Sequence, residues 1–134
     1  MTKSATTPQP TPAELEILRV LWERGPSTVR EVHEALDRTE PVGYTTVLKM
    51  LQTMTDKRLV VRDETQRAHV YEARRTEEAT QSQLVGDLLE RAFGGSTAKL
   101  VVRALSERQA SHEELDEIRA LLDRLESGRE GGAR

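Results

Sequence analysis

Apolar residues first recur at helical spacing at Leu15, Leu18, Leu21 and Trp22. Thr11-Pro12-Ala13-Glu14 stands directly ahead of them, with an N-cap hydroxyl, proline at the first helical position and glutamate three residues after the cap. This predicts a helix to about Arg24, stopped by Gly25-Pro26. Thr28-Val29-Arg30-Glu31 repeats the capping box and opens a second helix to about Asp37, with Val29, Val32 and Leu36 inward. After a loop containing Pro41 and Gly43, the positions Val47, Leu48, Leu51 and Met54 predict a third helix over Tyr44–Arg58.

The period then changes. Leu59-Val60-Val61-Arg62 and Ala68-His69-Val70-Tyr71-Glu72 are rich in β-branched and aromatic residues, and the polar stretch Asp63–Arg67 joins them as a two-stranded hairpin. Three helices and a hairpin make a winged helix-turn-helix. From Thr76 the helical period returns, with Leu84, Val85, Leu88, Leu89, Ala92 and Phe93 on one stripe up to Gly94-Gly95. Ser96 or Thr97 can cap a further helix carrying Leu100, Val101, Ala104 and Leu105 to about Gln109. A third capping box at Ser111-His112-Glu113-Glu114 opens a last helix with Leu115, Ile118, Leu122 and Leu125 at a/d-like spacing. The expected fold is mainly α with a small β-hairpin. A winged helix-turn-helix DNA-binding domain spans 11–75 and a helical dimerisation domain 76–126, between a disordered tail at 1–10 and a flexible tail at 127–134.

About fifty residues are marginal for an independent core. The C-terminal stripe therefore needs a partner surface, and Leu84, Leu88, Phe93, Leu115, Ile118, Leu122 and Leu125 are the candidate dimerisation residues. Packing back onto the winged helix of the same chain is the alternative.

Composition narrows the function. The 134 residues are 36% apolar and 32% charged, with four aromatics (Trp22, Tyr44, Tyr71, Phe93), which favours helices over a sandwich. The absence of cysteine excludes disulfides, thiol nucleophiles, iron–sulfur clusters and cysteine-ligated zinc, and it fits a reducing compartment. No apolar run exceeds three residues and the N-terminus lacks the stretch of a signal peptide, so the chain is expected to be cytoplasmic without membrane insertion. Net charge is −3, but residues 44–75 carry seven basic residues against four acidic ones. A local basic patch on an acidic chain suggests localised DNA contact, with scatter over a solvated surface as the alternative.

Catalytic constellations are missing. His33, His69 and His112 fall on three different elements without metal-ligand spacing, so neither an enzyme nor a metal or other cofactor is expected. Glu113, Glu114, Asp116 and Glu117 lie in the first turns of the last helix, where negative charge favours the helix dipole.

The third helix is more informative. Opposite its buried face it presents Thr45, Thr46, Lys49, Gln52 and Thr53, with no carboxylate before Asp56. Hydroxyls, an amide and an ammonium at the N-terminal end of a recognition helix can reach base edges and phosphates. Lys57, Arg58 and Arg62 continue a basic edge, and Arg67 and His69 alternate along the hairpin so that the wing could grip backbone. With Tyr44 at the head of the helix, the candidate DNA-binding set is Tyr44, Thr45, Thr46, Lys49, Gln52, Thr53, Lys57, Arg58, Arg67 and His69. Thr45 as the N-cap of its own helix and His69 as a cross-strand partner remain open.

At Gly43-Tyr44-Thr45-Thr46-Val47-Leu48-Lys49-Met50-Leu51 the chain resembles the penicillinase-repressor (BlaI/MecI/CopY) family. The resemblance covers roughly residues 11–126. It takes in Leu15-Glu16-Ile17-Leu18, Leu21-Trp22, Thr28–Val32, Lys57-Arg58-Leu59-Val60, Arg67–Tyr71, Phe93–Ser96 and Leu100-Val101. It implies a homodimeric winged-helix repressor of an inverted-repeat operator, reading TACA/TGTA-type half-sites through positions matching Thr45, Thr46 and Lys49. In the antibiotic-responsive branch a membrane sensor–protease pathway cleaves the C-terminal domain. The Asn-Phe pair cleaved there aligns near Arg103-Ala104, where neither residue type is kept. The cysteine metal hook of the copper-responsive branch has no counterpart, and Gln66 stands where a glycine is common in the wing. Two other readings compete: a winged-helix regulator holding a small-molecule effector, and a winged-helix protein-interaction module.

Overall fold

The structure, a computed structural model, describes residues 9–132. Residues 1–8 of the expected N-terminal tail, and 133–134 of the C-terminal one, lie outside the described residues. The order is α1 (Pro12–Arg24), β1 (Ser27–Thr28), α2 (Val29–Asp37), α3 (Tyr44–Asp56), β2 (Val60–Asp63), β3 (Val70–Ala73), α4 (Glu77–Phe93), α5 (Thr97–Glu107) and α6 (His112–Gly132). The chain divides into two compact units between Gly86 and Asp87.

In the first unit, α1 and α2 start on complete capping boxes. Thr11 and Thr28 accept from the N–H groups of Glu14 and Glu31, whose carboxylates accept from the cap backbones. Pro10, expected in the tail, is buried just ahead of the first cap. The core comprises Ile17, Leu18, Leu21, Val29, Val32, Val47, Leu51, Met54, Leu59, Val60 and Tyr71. Each such apolar side chain contributes roughly 1.5–3 kcal/mol on burial. From α3 the core takes Val47, Leu51 and Met54 at steps of four and three, which anchors one face and turns the other outward.

The predicted hairpin is present, and it is one strand short of the observed sheet. β1 pairs with β3 through Ser27↔Tyr71 and Thr28↔Val70, giving the antiparallel order β1-β3-β2. The pairs Val60↔Ala73 and Asp63↔Val70 leave Glu64–His69 as the connecting loop. The first unit also reaches beyond residue 75, where the periodicity placed a boundary. Trp22 donates its indole N–H to the Arg75 carbonyl at 2.9 Å, and Thr80 of α4 is buried.

The second unit begins in the last turns of α4. That helix stops where Gly94 and Gly95 take φ of +57° and +81°, a left-handed region open to residues without a Cβ, and the Gly95 N–H donates to the Leu89 carbonyl. Ser96 caps α5, and a reciprocal Ser111–Glu114 pair caps α6. α6 runs through Gly132, so the expected flexible tail from Ser127 is helical over its described part. Extending an existing helix costs far less than nucleating one, and Arg129 in the last turn complements the C-terminal dipole.

Candidate nucleic-acid interface

The exposed face of α3 carries Thr45, Thr46, Lys49, Gln52 and Thr53, all solvent-accessible and aligned in one stripe. Gly43 is the N-cap and makes no side-chain cap bond, so Thr45 lies inside the helix and is not its cap. Leu48, expected in the core, is only half-buried. With Tyr44, 48% exposed, it forms the flank of α3 that lines a groove.

The opposite walls of that groove are Thr28, Val29 and Arg30 at the start of α2 and Arg67, Ala68 and His69 of the β2–β3 loop, with Tyr71 beside them. His69 lies outside β3, so it has no cross-strand partner, and the expected strand alternation of Arg67 and His69 does not occur. The loop is set by Asp63 instead. Its carboxylate accepts from the Thr65 N–H at 2.9 Å and from the Thr65 hydroxyl at 2.8 Å, and these bonds hold it below its ordinary pKa. Gln66 closes the turn without a positive φ. The fold thus brings Tyr44, Arg67 and His69 to one groove and adds Arg30, which the sequence reading passed over as part of a capping box. Its signal was available: Arg30 is the second residue of the helix that precedes the recognition helix, where a cation can meet a phosphate. Among the described residues none pairs ionically with Arg30, Lys49 or Arg67.

Lys57, expected at the DNA, is held in an ion pair inside the first unit. It is the C-cap of α3, and its ammonium donates to both carboxylate oxygens of Glu14, at 2.8 and 3.0 Å. Glu14 is 5% exposed and also accepts from the Thr11 N–H. Burial pushes its carboxyl up, but the Lys57 ammonium and the Thr11 bonds outweigh it and hold the group below its ordinary value. Arg62 is likewise engaged within the wing. A hydrogen bond to Tyr71, its cross-strand neighbour, and an ion pair with Glu64 at 2.7 Å raise its pKa further. Arg58 is exposed and sits at φ +66°, the sole non-glycine in the left-handed region among the described residues.

The expected dimerisation residues divide between the two units. Leu84 is half-buried in the first, lining a shallow groove with Leu15 and Trp22. In the second, Phe93, Leu115 and Ile118 are half-buried, while Leu88, Leu122 and Leu125 are 49%, 55% and 56% exposed. No residue described in the second unit is buried. Arg103 and Ala104 are exposed in the middle of α5, Arg103 paired with Glu107 at 3.8 Å. Proteases take extended backbone, so cleavage at that bond requires α5 to unwind. Among the described residues no cluster of His, Asp or Glu is placed to hold a metal, and no helix is long and apolar enough to cross a membrane.

The sequence profile of the family described as penicillinase repressor matches residues 10–124. The transcriptional regulator BlaI of Mycobacterium tuberculosis is 34% identical over 116 residues, covering 86% of this chain and 83% of that protein. The penicillinase repressor of Bacillus licheniformis is 27% identical over 116 residues, covering 87% and 91%. The solution structure of monomeric Bacillus licheniformis BlaI in complex with the blaP half-operator matches with a TM-score of 0.48 at 27% identity, over 55% of this chain and 89% of that one. A profile match across almost the whole chain, joined to identity with the mycobacterial regulator over most of both sequences, places this chain in the penicillinase-repressor family.

Proposed function

We propose that the chain is a sequence-specific DNA-binding transcriptional repressor that grips an inverted-repeat operator as a homodimer. The observation that carries this reading is the outer surface of α3: Thr45, Thr46, Lys49, Gln52 and Thr53 form a carboxylate-free stripe beside a groove edged by Arg30, Arg67 and His69. In this reading α3 lies in the major groove with its N-terminal residues at the base edges. Arg30 and the 64–69 loop meet flanking phosphates, and Arg58 reaches backbone beyond the far end of the helix.

The state of the second unit supports the homodimer. A segment that presents Leu88, Val101, Val102, Leu105, Leu121, Leu122 and Leu125 to solvent and buries none of its own residues gains most by covering that surface with a second copy. Two linked half-site contacts then act as one bivalent ligand for an inverted repeat. The chain is a binding protein in this account, without catalytic or metal chemistry, and it works in the cytoplasm, where the operator is. Family membership makes relief by a sensor–protease pathway one route to induction.

The reading is tested by titrating variants of exposed residues. Lys49→Glu should abolish preference for the operator while circular dichroism stays unchanged. Thr46→Ala should cost about 1–3 kcal/mol at the operator and little on unrelated DNA. Wild-type binding by both variants would remove α3 as the reading element, and a fold-intact protein with no affinity for DNA would favour a protein-interaction module.

A further inference from the structure

The start of α3 is held from outside the helix. α1, α2, α5 and α6 each begin on a hydroxyl, of Thr11, Thr28, Ser96 and Ser111, that accepts a backbone N–H. α3 begins on Gly43, which has no side chain to do this. α2 fixes the approach instead. His33 Nε2 lies 2.8 Å from the carbonyl oxygen of Val42, and the Val42 N–H donates to Asp37 Oδ1 at 3.1 Å. His33 and Asp37 are four residues apart and share one face of α2, so together they take both backbone polar groups of the residue just before the cap. A carbonyl oxygen can only accept, so in this bond the His33 Nε2 carries a proton and donates it. The His33 ring also meets Tyr44 edge-on, with centroids 5.9 Å apart and planes at 72°.

We propose that His33 and Asp37 form a backbone clamp that places the first turn of the recognition helix and thereby sets operator specificity without touching DNA. The proposal rests on the DNA-binding reading and deepens it. A side-chain cap on α3 would consume a first-turn N–H and stand at the end of the helix that approaches the duplex. The clamp acts one residue upstream and leaves the amides of Tyr44, Thr45 and Thr46 clear of any cap. Base readout needs side chains held within about 0.5 Å of their productive positions, so slack in the first turn is felt at Thr45, Thr46 and Tyr44. His33 and Asp37 are positioning residues.

The test uses the full chain with His33→Ala, His33→Gln and Asp37→Ala, and it has two arms. In free protein, amide exchange is followed at Val42 and at Val47, whose N–H makes the first helical bond of α3 to Gly43. In the second arm, affinity is measured for a duplex enriched by the wild type from a random-sequence pool and for a scrambled duplex of equal length. His33→Ala should speed exchange at Val47 about tenfold and reduce the preference for the enriched duplex by a similar factor. Scrambled-DNA affinity and salt slope should stay within about twofold. His33→Gln, whose amide N–H can replace the ring donor, should restore both. Wild-type exchange and preference in His33→Ala would overturn the proposal, and so would equal losses on both duplexes. If His33→Ala does not fold, exposed Asp37→Ala decides. Faster exchange at Val42 and Val47 with lowered preference supports the clamp, and wild-type behaviour refutes it. A wild type that enriches no duplex defeats the DNA-binding reading, while the exchange arm still judges whether the clamp holds α3.

Discussion

Replacing Lys57 with methionine keeps the aliphatic stem and deletes the charge that faces buried Glu14. At 2.8 Å and an effective dielectric constant of about 20, the direct attraction is on the order of 6 kcal/mol. Desolvation of Glu14, 5% exposed, offsets much of that. Lys57 keeps 30% of its side chain in solvent, so water takes over part of its role in the variant. The expected net loss at neutral pH is about 2 kcal/mol. That corresponds to a fall of roughly 10 °C in the melting temperature of the first unit. The pH dependence has a definite sign. Glu14 is depressed below its ordinary value of 4.5 in the wild type, so the pair stabilises above that pH and its contribution disappears as pH falls through the folded value. In Lys57→Met only the Thr11 bonds still oppose burial, so the carboxyl rises relative to the wild type and the penalty is greatest at neutral pH and relieved by acid. Thermal unfolding of both proteins from pH 7 to pH 3 should therefore converge, and Glu14→Gln combined with Lys57→Met should recover most of the loss. A difference that stays constant over this range, or no difference at pH 7, would refute the reasoning. The same variant should leave the salt slope of DNA binding unchanged, since Lys57 is committed to Glu14.

Other outcomes follow from single features. Arg58→Gly relieves a left-handed backbone and should stabilise the fold by about 1 kcal/mol in chemical denaturation, while lowering the DNA salt slope by about 1 if its guanidinium meets a phosphate. Glutamate at both Leu122 and Leu125 should give a monomer in sedimentation and weaken operator binding by about 10²-fold or more. An unchanged mass removes these two residues from the interface. Arg30→Ala should lower affinity for operator and unrelated DNA alike, and a selective loss at the operator would make Arg30 a base reader.

The elements that the residue pattern revealed are those governed by local chemistry. Capping boxes at Thr11, Thr28 and Ser111 join a hydroxyl to a carboxylate three residues on, so the starts of α1, α2 and α6 could be placed within a residue. The outer stripe of α3 was likewise read from the spacing of its buried face. What was misread depends on partners distant in the chain. β1 is two residues long and exists through its pairing with β3, which no local period encodes. Lys57 looked like one more surface cation because its partner lies 43 residues away, in a residue already explained as a capping glutamate. The wing residues shifted from strand to loop because Asp63 bonds Thr65 and the pairing stops there, which put Arg67 and His69 on the rim of the groove.

The central claim, sequence-specific binding by a dimer, is tested most directly by mixing the purified protein with sheared DNA from its own genome at near-physiological salt and sequencing what is retained. The account predicts an enriched inverted repeat whose half-site centres lie about one helical turn, or a small multiple of it, apart. Uniform recovery of fragments that vanishes as salt rises would mean electrostatic attraction alone and would contradict it.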